Sequence, residues 1–307
     1  MSGCCFYSGV CGSLRFGNAS VPFTGGSINI KKENVPSQGI NYGPDAKTRS
    51  IYNYSKGKTV IEGTFTMEIF STGVLSTVFS SLLRFLLNPP CHSLDGGSGG
   101  GATGSLIFSP NGGTQIKIPG SGGQCVISSM TLNGNPGGLV SATFNFISTT
   151  YSMGASGIVS DWQFENTGSI DDSNPLPYYA ANLIFGGAGG DTTLMNTNLI
   201  DWSISVNTNP TSIYTFCDNT VTTANQILPG LIKPTGNFKY VSPTGLFAES
   251  LVDGASLSIG LGATTIRFPH IAFTNDSIPS GGVNSLIVRN VDFEGFAIQD
   301  HASVYSF

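Results

Sequence analysis

Lys58 to Gly73 reads KTVIEGTFTMEIFSTG, and Leu231 to Gly245 reads LIKPTGNFKYVSPTG. Both open a strand-like run on Gly-x-Phe (Gly63 and Phe65; Gly236 and Phe238) and close it on Thr-Gly (Thr72-Gly73; Thr244-Gly245), just ahead of a helix-like segment. The offsets are 173 and 172 residues, so one pattern is written twice, and such a repeat decides the architecture. In the first copy Ile61, Gly63, Phe65, Met67 and Ile69 alternate with Glu62, Thr64, Thr66 and Glu68, the period of a strand buried on one face.

Further matches flank this one in the same order. Leu14-Arg15-Phe16-Gly17 answers Leu183-Ile184-Phe185-Gly186 at an offset of 169. A Ser-Ile strand follows each, Ser27-Ile28-Asn29-Ile30 and then Ser203-Ile204-Ser205-Val206. Downstream, Thr114 to Pro119 (TQIKIP) answers Thr264 to Pro269 (TTIRFP) at an offset of 150. A chain of 307 residues therefore divides into two units of similar size, 1–154 and 155–307, with the boundary between Ser148 and Asp161. Val140, Ala142, Phe144 and Phe146 alternate with Ser141, Thr143 and Asn145, and Ile200, Trp202, Ile204 and Val206 with Asp201, Ser203 and Ser205. These are antiparallel-sheet patterns, separated by turn signals such as Asn133-Gly134-Asn135-Pro136-Gly137.

Each unit carries one predicted helix after the Thr-Gly. In the first, Ser71 or Thr72 caps it, Asn88-Pro89-Pro90 stops it, and Val74, Leu75, Val78, Phe79, Leu82, Leu83, Phe85 and Leu86 form an apolar face. In the second, Thr244 caps it, Leu246, Phe247, Leu251 and Val252 point inward, and Asp253-Gly254 ends it. The expected fold is mainly β: two tandem β-sandwich or barrel domains, each with one flanking α-helix. Between the Ser-Ile and Gly-x-Phe strands both units carry a long polar excursion, Lys31 to Lys58 and Asn207 to Leu231, whose apolar residues point to a binding surface.

Only 10% of residues are charged, yet 39% are hydrophobic and 10% aromatic, a folded chain with an uncharged polar surface suited to contact with further copies. The formal charge of −5 conceals an asymmetry. Residues 1–154 carry nine Lys/Arg against five Asp/Glu, and 155–307 carry four against thirteen, giving +4 and −9. The cluster Lys31, Lys32, Lys47, Arg49, Lys56 and Lys58 lacks the aromatic pattern of a nucleic-acid module and fits an acidic protein surface at least as well. No apolar run reaches 18 residues, and the N-terminus MSGCCFYSGVCG lacks the regions of a signal peptide, so the expectation is synthesis in a cytoplasm. Six irregularly placed cysteines read as free thiols, and His92, His270 and His301 give no zinc spacing.

Catalytic motifs fail on context. Gly96-Gly97-Ser98-Gly99-Gly100 has the letters of a hydrolase elbow within a linker-like tract. Gly57-Lys58-Thr59 ends like a phosphate loop but has Tyr52 where the earlier glycine belongs. Asp300, His301 and Ser303 are crowded into one segment, and Asp171-Asp172 read as a solvated turn.

The order of Ser-Ile strand, long loop, Gly-x-Phe strand (EGTFTMEI, TGNFKYV), short helix and closing strand (SATFNF, RNVDFEGF) resembles that of bacteriophage tail tube proteins, over nearly the whole chain and twice. The fusion of two copies and the segment Gly96 to Gly104 depart from that pattern. The resemblance implies rings whose inner strands line a channel for DNA and whose long loops stack on the next ring. By position it makes Lys31, Lys32, Tyr42, Lys47, Arg49, Tyr52, Tyr54, Lys56, Lys58, Tyr214, Phe216 and Ile227 the stacking residues, and Glu62, Thr64, Thr66, Glu68, Asp201, Ser203 and Ser205 the lumen-facing ones. It further implies a structural virion protein of the phage tail and not an enzyme, with no cofactor or metal, assembled in the bacterial host cytoplasm. The expected assembly is a homotrimer forming a pseudo-hexameric ring, which meets other tail proteins such as a sheath or tail terminator and no membrane, while double-stranded DNA passes without specific binding. The alternatives are a tail-tip or baseplate component, a secretion-system tube subunit, or a glycan-binding or glycan-cleaving β protein resting on Trp162, Trp202 and the acidic second half.

Overall fold

The computed structural model describes residues 13–16, 19–37, 53–87, 94–95, 105–109, 114–120, 123–155, 174–187, 190–192, 199–214, 224, 226–228, 230–241, 255–277, 288–295, 298–300 and 303–305. The first half supplies β1 (Ser13–Phe16), β2 (Ala19–Val21), β3 (Phe23–Ser37), β4 (Asn53–Glu68), α1 (Gly73–Leu87), β5 (Leu94–Asp95), β6 (Leu106–Ser109), β7 (Thr114–Ile118), β8 (Gln124–Gly134), β9 (Ser141–Ser148) and β10 (Ser152–Ala155). The second supplies β11 (Asn182–Gly187), β12 (Gly190–Thr192), β13 (Leu199–Asn207), β14 (Thr211–Ile213), β15 (Gln226–Leu228), β16 (Lys233–Val241), β17 (Ala255–Leu261), β18 (Thr264–Ser277), β19 (Val288–Gly295), β20 (Ile298–Asp300) and β21 (Ser303–Tyr305). The fold is mainly β, with large antiparallel sheets and, among the described residues, a single α-helix. The helix expected at Leu246 to Val252 lies outside the described residues.

One sheet runs through both halves in the order β12-β11-β17-β18-β19-β16-β13-β8-β9-β4-β3. The strands of each half stay together, and the halves meet where β8 pairs with β13, from Asn207 opposite Ser129 to Trp202 opposite Gly134. Gly134 is needed there because a Cβ would run into the indole of Trp202. A second sheet, β10-β7-β6-β1-β2, faces the first-half strands. Phe108 of this sheet reaches Phe65 and Phe146 of the large one, with ring centroids 6.5 and 5.8 Å apart. This is β-sandwich packing, with apolar side chains from both inner faces forming one core.

The ladders repeat position by position. Ile28 pairs with Gly63, which pairs with Phe146; in the second half Ile204 pairs with Gly236, which pairs with Phe293. Irregularities recur too: the register slips between Phe23 and Gly25 on β3 and between Leu199 and Asp201 on β13. It slips again between Ile127 and Ser129 on β8 and between Phe273 and Asn275 on β18. The facing sheet follows suit, since Leu14 pairs with Phe108 and Phe108 with Ile116, as Leu183 pairs with Ile259 and Ile259 with Ile266. The halves differ at one joint. β7 and β8 are separate strands in two sheets, whereas their counterparts fuse into the 14-residue β18 of the large sheet.

Helix α1 ends directly before Asn88-Pro89, as proline requires of its predecessors. Leu75, Val78, Phe79, Leu82, Leu83, Leu86 and Leu87 are buried, and Phe79 meets Phe144 at 6.2 Å. Val74, expected on the apolar face, is 53% exposed, whereas its neighbours Leu75 and Ser76 in the same turn are buried. The helix also touches the second half. Ser80 Oγ and Thr264 Oγ1 are 2.7 Å apart, and the Ala263 N–H donates to the Ser71 carbonyl.

Candidate functional site

Alternation in β4, β8, β9, β13, β16 and β19 sends apolar side chains into the sandwich and leaves the opposite face of the large sheet polar. Phe65, Met67, Met130, Phe144, Trp202, Ile204, Phe238 and Phe293 are buried. Glu62, Thr64, Thr66 and Glu68 on β4, and Asp201, Ser203 and Ser205 on β13, lie on the polar side, each partly exposed. The seven predicted lumen positions therefore share one sheet face, which also carries Thr131 and Asn133 of β8, Thr143 and Asn145 of β9, Thr235 and Asn237 of β16, and Asp292 and Glu294 of β19.

Registers line these groups up across the sheet. Thr66 lies opposite Thr143, Thr143 opposite Thr131, Thr131 opposite Ser205, Ser205 opposite Thr235 and Thr235 opposite Glu294. Side chains bond along and beside this row: Thr66 Oγ1 to Thr143 Oγ1 at 2.9 Å, Ser203 Oγ donating to Asn133 Oδ1 at 2.8 Å, and Asn145 Nδ2 donating to Ser129 Oγ at 2.7 Å. Lysines that reach this face meet carboxylates. Lys239 Nζ is 3.1 Å from Asp201 Oδ2, Lys233 Nζ is 2.9 Å from Glu294 Oε1, and Lys31 pairs with Glu62. Lys239 is thus matched by Asp201, the residue opposite it on the neighbouring strand. Asp292 accepts from Asn275 Nδ2 at 3.0 Å.

Beyond the sheet, β3 and β4 continue as a two-stranded arm that pairs out to Ser37 and Asn53. Lys31 and Lys32 are exposed on it. Gly57 is required by proximity, since a Cβ there would lie 2.8 Å from the Glu33 carbonyl, and Lys58 pairs with Glu33 at 3.5 Å. The second excursion folds back on this arm. Lys58 Nζ sits 5.8 Å from the centroid of the Tyr214 ring, and Tyr214 Oη donates to the Thr59 carbonyl at 3.5 Å. Burial pushes the Tyr214 phenol above its ordinary value; Lys58 pulls it back down and Glu33 adds to the rise. Ile227 is buried, and its N–H donates to Gln124 Oε1 at 2.9 Å, so this residue packs on its own chain rather than offering itself to another ring. Tyr54 and Lys56 lie in β4; Tyr42, Lys47, Arg49, Tyr52 and Phe216 lie outside the described residues.

The other motifs gain no support. Gly57-Lys58-Thr59 is the middle of a strand, where a phosphate loop needs a strand-to-helix turn. Trp202 is 1% exposed, a core residue and no sugar platform, while Trp162 lies outside the described residues. Asp300 and Ser303 pair across a hairpin as backbone. Cys125 is buried, which raises its thiol well above the usual range, so it is inert as a nucleophile or ligand. Among the described residues no three His, Cys, Asp or Glu side chains gather into a metal-holding group. Sequence reasoning did not identify β8, whose Thr131 and Asn133 carry the polar rows from one half into the other. Its pattern, CVISSMTLNG, was legible as Met130 and Leu132 alternating with Thr131 and Asn133. No protein-family model matches this sequence, and no curated protein matches it.

Proposed function

We propose that the chain is a structural subunit of a phage tail tube, in which three copies close a pseudo-hexameric ring and rings stack into a conduit for double-stranded DNA. The observation that carries this reading is the tandem arrangement of the large sheet. Two equivalent four-strand units, β3-β4-β9-β8 and β13-β16-β19-β18, follow one another in the same order and direction, so a third and later unit can be added by the same operation. Repetition of an identical head-to-tail joint closes into a ring when its rotation permits.

The polar face of those units is the surface a conduit needs. DNA is retained by unmatched Lys and Arg, each phosphate contact adding affinity. Here hydroxyls and amides dominate, and Lys31, Lys233 and Lys239 are each offset by a carboxylate. The arm formed by β3 and β4 projects past the sheet and is the element suited to reach an adjacent ring. A tail-tip or baseplate role would use the same fold with fewer stacked copies. Negative-stain imaging together with solution mass tests the proposal: rings of three chains, or tubes built from them, are expected. A monomer at every concentration, or a six-chain ring, refutes it.

A further inference from the structure

We infer that the two long excursions have different tasks: the first extends as the arm that meets another copy, and the second is a strut that fixes the arm's direction from within the chain, with Tyr214 as the positioning residue. The strut stands on contacts inside one chain; the arm's task rests on the reading that rings stack.

The arm lacks support from the sheet. β9 flanks β4 only from Glu68 to Ile61, where Ser148 ends the ladder. From Val60 to Asn53, among the described residues, β4 pairs with β3 alone. A lone two-stranded ribbon is marginally stable and strongly twisted. Yet Thr59, already past the end of β9, is only 7% exposed. Tyr214 reaches the chain at this point, with Oη donating to the Thr59 carbonyl and the ring beneath Lys58 Nζ.

The second excursion has the footing for such a task, since both of its ends stand on β8. Thr208, fully buried, donates its N–H to the Ser128 carbonyl at 2.9 Å. Its Oγ1 donates to the same oxygen at 3.0 Å, with the Ile127 carbonyl at 3.3 Å, at the register slip of β8. Gly230 returns to this point, its N–H donating to the Thr208 carbonyl at 2.9 Å. Between these ends β14 pairs with β15, and Ile227 is tied to Gln124 at the start of β8. Cys125 lies opposite Ser148, and Ser148 opposite Ile61. The excursion therefore spans from β8 to β4 just where β9 stops between them.

One ladder position separates the two designs. Lys31 opposite Val60 in the first half corresponds to Asn207 opposite Lys233 in the second. Beyond it β3 and β4 run on to Ser37 and Asn53, whereas β13 and β16 pair no further. Asn209, at a φ of 42° that asparagine tolerates, turns the second chain segment aside, its N–H donating to Asn207 Oδ1 at 2.8 Å. A ring of three chains thus presents three arms rather than six. Holding each arm in the binding direction avoids the loss of affinity that an arm pointing elsewhere for most of the time would suffer.

Hydrogen exchange on the full-length protein, kept too dilute to associate, reads the strut by itself. Tyr214→Ala should speed exchange of the 31–37 and 53–60 amides about tenfold while β9 and β16 stay unchanged. Tyr214→Phe, which keeps the ring, should stay near the parent. Unchanged arm exchange in Tyr214→Ala, or equal acceleration throughout the chain, overturns the strut; a Tyr214→Phe variant as fast as Tyr214→Ala overturns the ring's part in it. Electron microscopy then reads the division of tasks. Replacing residues 35–55 with Asn-Gly closes β3 on β4 between Asn34 and Lys56, which face each other, and should leave rings but no tubes. Replacing residues 216–222 with Gly-Gly should leave both, and Tyr214→Ala should raise the tube-forming concentration about tenfold. Tubes from the arm-shortened variant, or their loss on shortening the second excursion, overturn the division of tasks, and an unchanged concentration for Tyr214→Ala overturns the link between strut and stacking. Absence of rings from every protein, the parent included, overturns the tube reading and the arm's task together, while the exchange result still decides the strut.

Discussion

Gly236 lies beneath the ring of Phe293 so closely that a Cβ would stand 2.5 Å from its Cζ, and Gly63 has the same relation to Phe146. In both halves, then, the strand passes under an aromatic ring from its neighbour, and only hydrogen fits between. Gly63→Ala and Gly236→Ala should each cost about 1–3 kcal/mol through overpacking. Gly25→Ala, where a Cβ meets nothing within 4 Å, should stay within about 0.5 kcal/mol. Urea unfolding of the three variants checks the contrast.

β8 and β13 share a ladder and α1 reaches Thr264, so the two halves are tied together at two places. Scanning calorimetry of the full chain should give one cooperative transition, with calorimetric and van't Hoff enthalpies agreeing. Trp202→Ala removes the largest side chain at the joint and should cost about 3–5 kcal/mol while lowering that single transition. Two resolved transitions would mean that the halves fold independently.

Tyr214 provides a pH readout of the contact between the excursions. Its phenol is raised in the folded chain, so its contribution to stability is fully present below pH about 10 and is lost as pH climbs through the folded value. Tyr214→Phe should flatten the alkaline slope of stability. Lys58→Met should move the Tyr214 titration higher and Glu33→Gln lower, as followed by ultraviolet difference absorption against the Tyr214→Phe background.

Thr66 and Lys239 occupy the same place in their halves, but Asp201, which pairs with Lys239, is matched in the first half by Gly25. Thr66→Lys therefore adds a lysine to the polar face without its carboxylate. If that face lines a DNA conduit, assembled particles should retain duplex DNA at low salt, with a steeper salt dependence than the parent. Lys239→Ala should leave stability within about 1 kcal/mol, as an exposed ion pair allows, and should not increase retention. Equal retention by the parent and Thr66→Lys would remove the face from the conduit.

The fold was legible wherever burial alternates along a strand, because one side of each strand faces a core and a two-residue period records it. β4, β9 and β13 were readable for that reason, as was the Gly-x-Phe signature, whose glycine proves to be a packing requirement. The polar face followed from the same alternation. What the sequence does not display is which neighbour a strand takes. Nothing in Ser203 or Thr131 announces that their strands pair across the middle of the chain, since backbone hydrogen bonds are blind to side-chain identity. Ile227 was misassigned on similar grounds. An isoleucine in a polar excursion looks exposed until the excursion is seen to fold back on Gln124.

The duplicated ladder makes this chain its own alignment of two sequences. Where paired positions carry the same residue for a packing reason, as at Gly63 and Gly236, an aromatic ring of the neighbouring strand fills the space a Cβ would take. Where they differ, as at Asn145 and Asp292 or Thr66 and Lys239, the same ladder position accommodates either residue. Mutational tolerance can therefore be ranked within a single chain, with one half serving as the naturally tested library for the other.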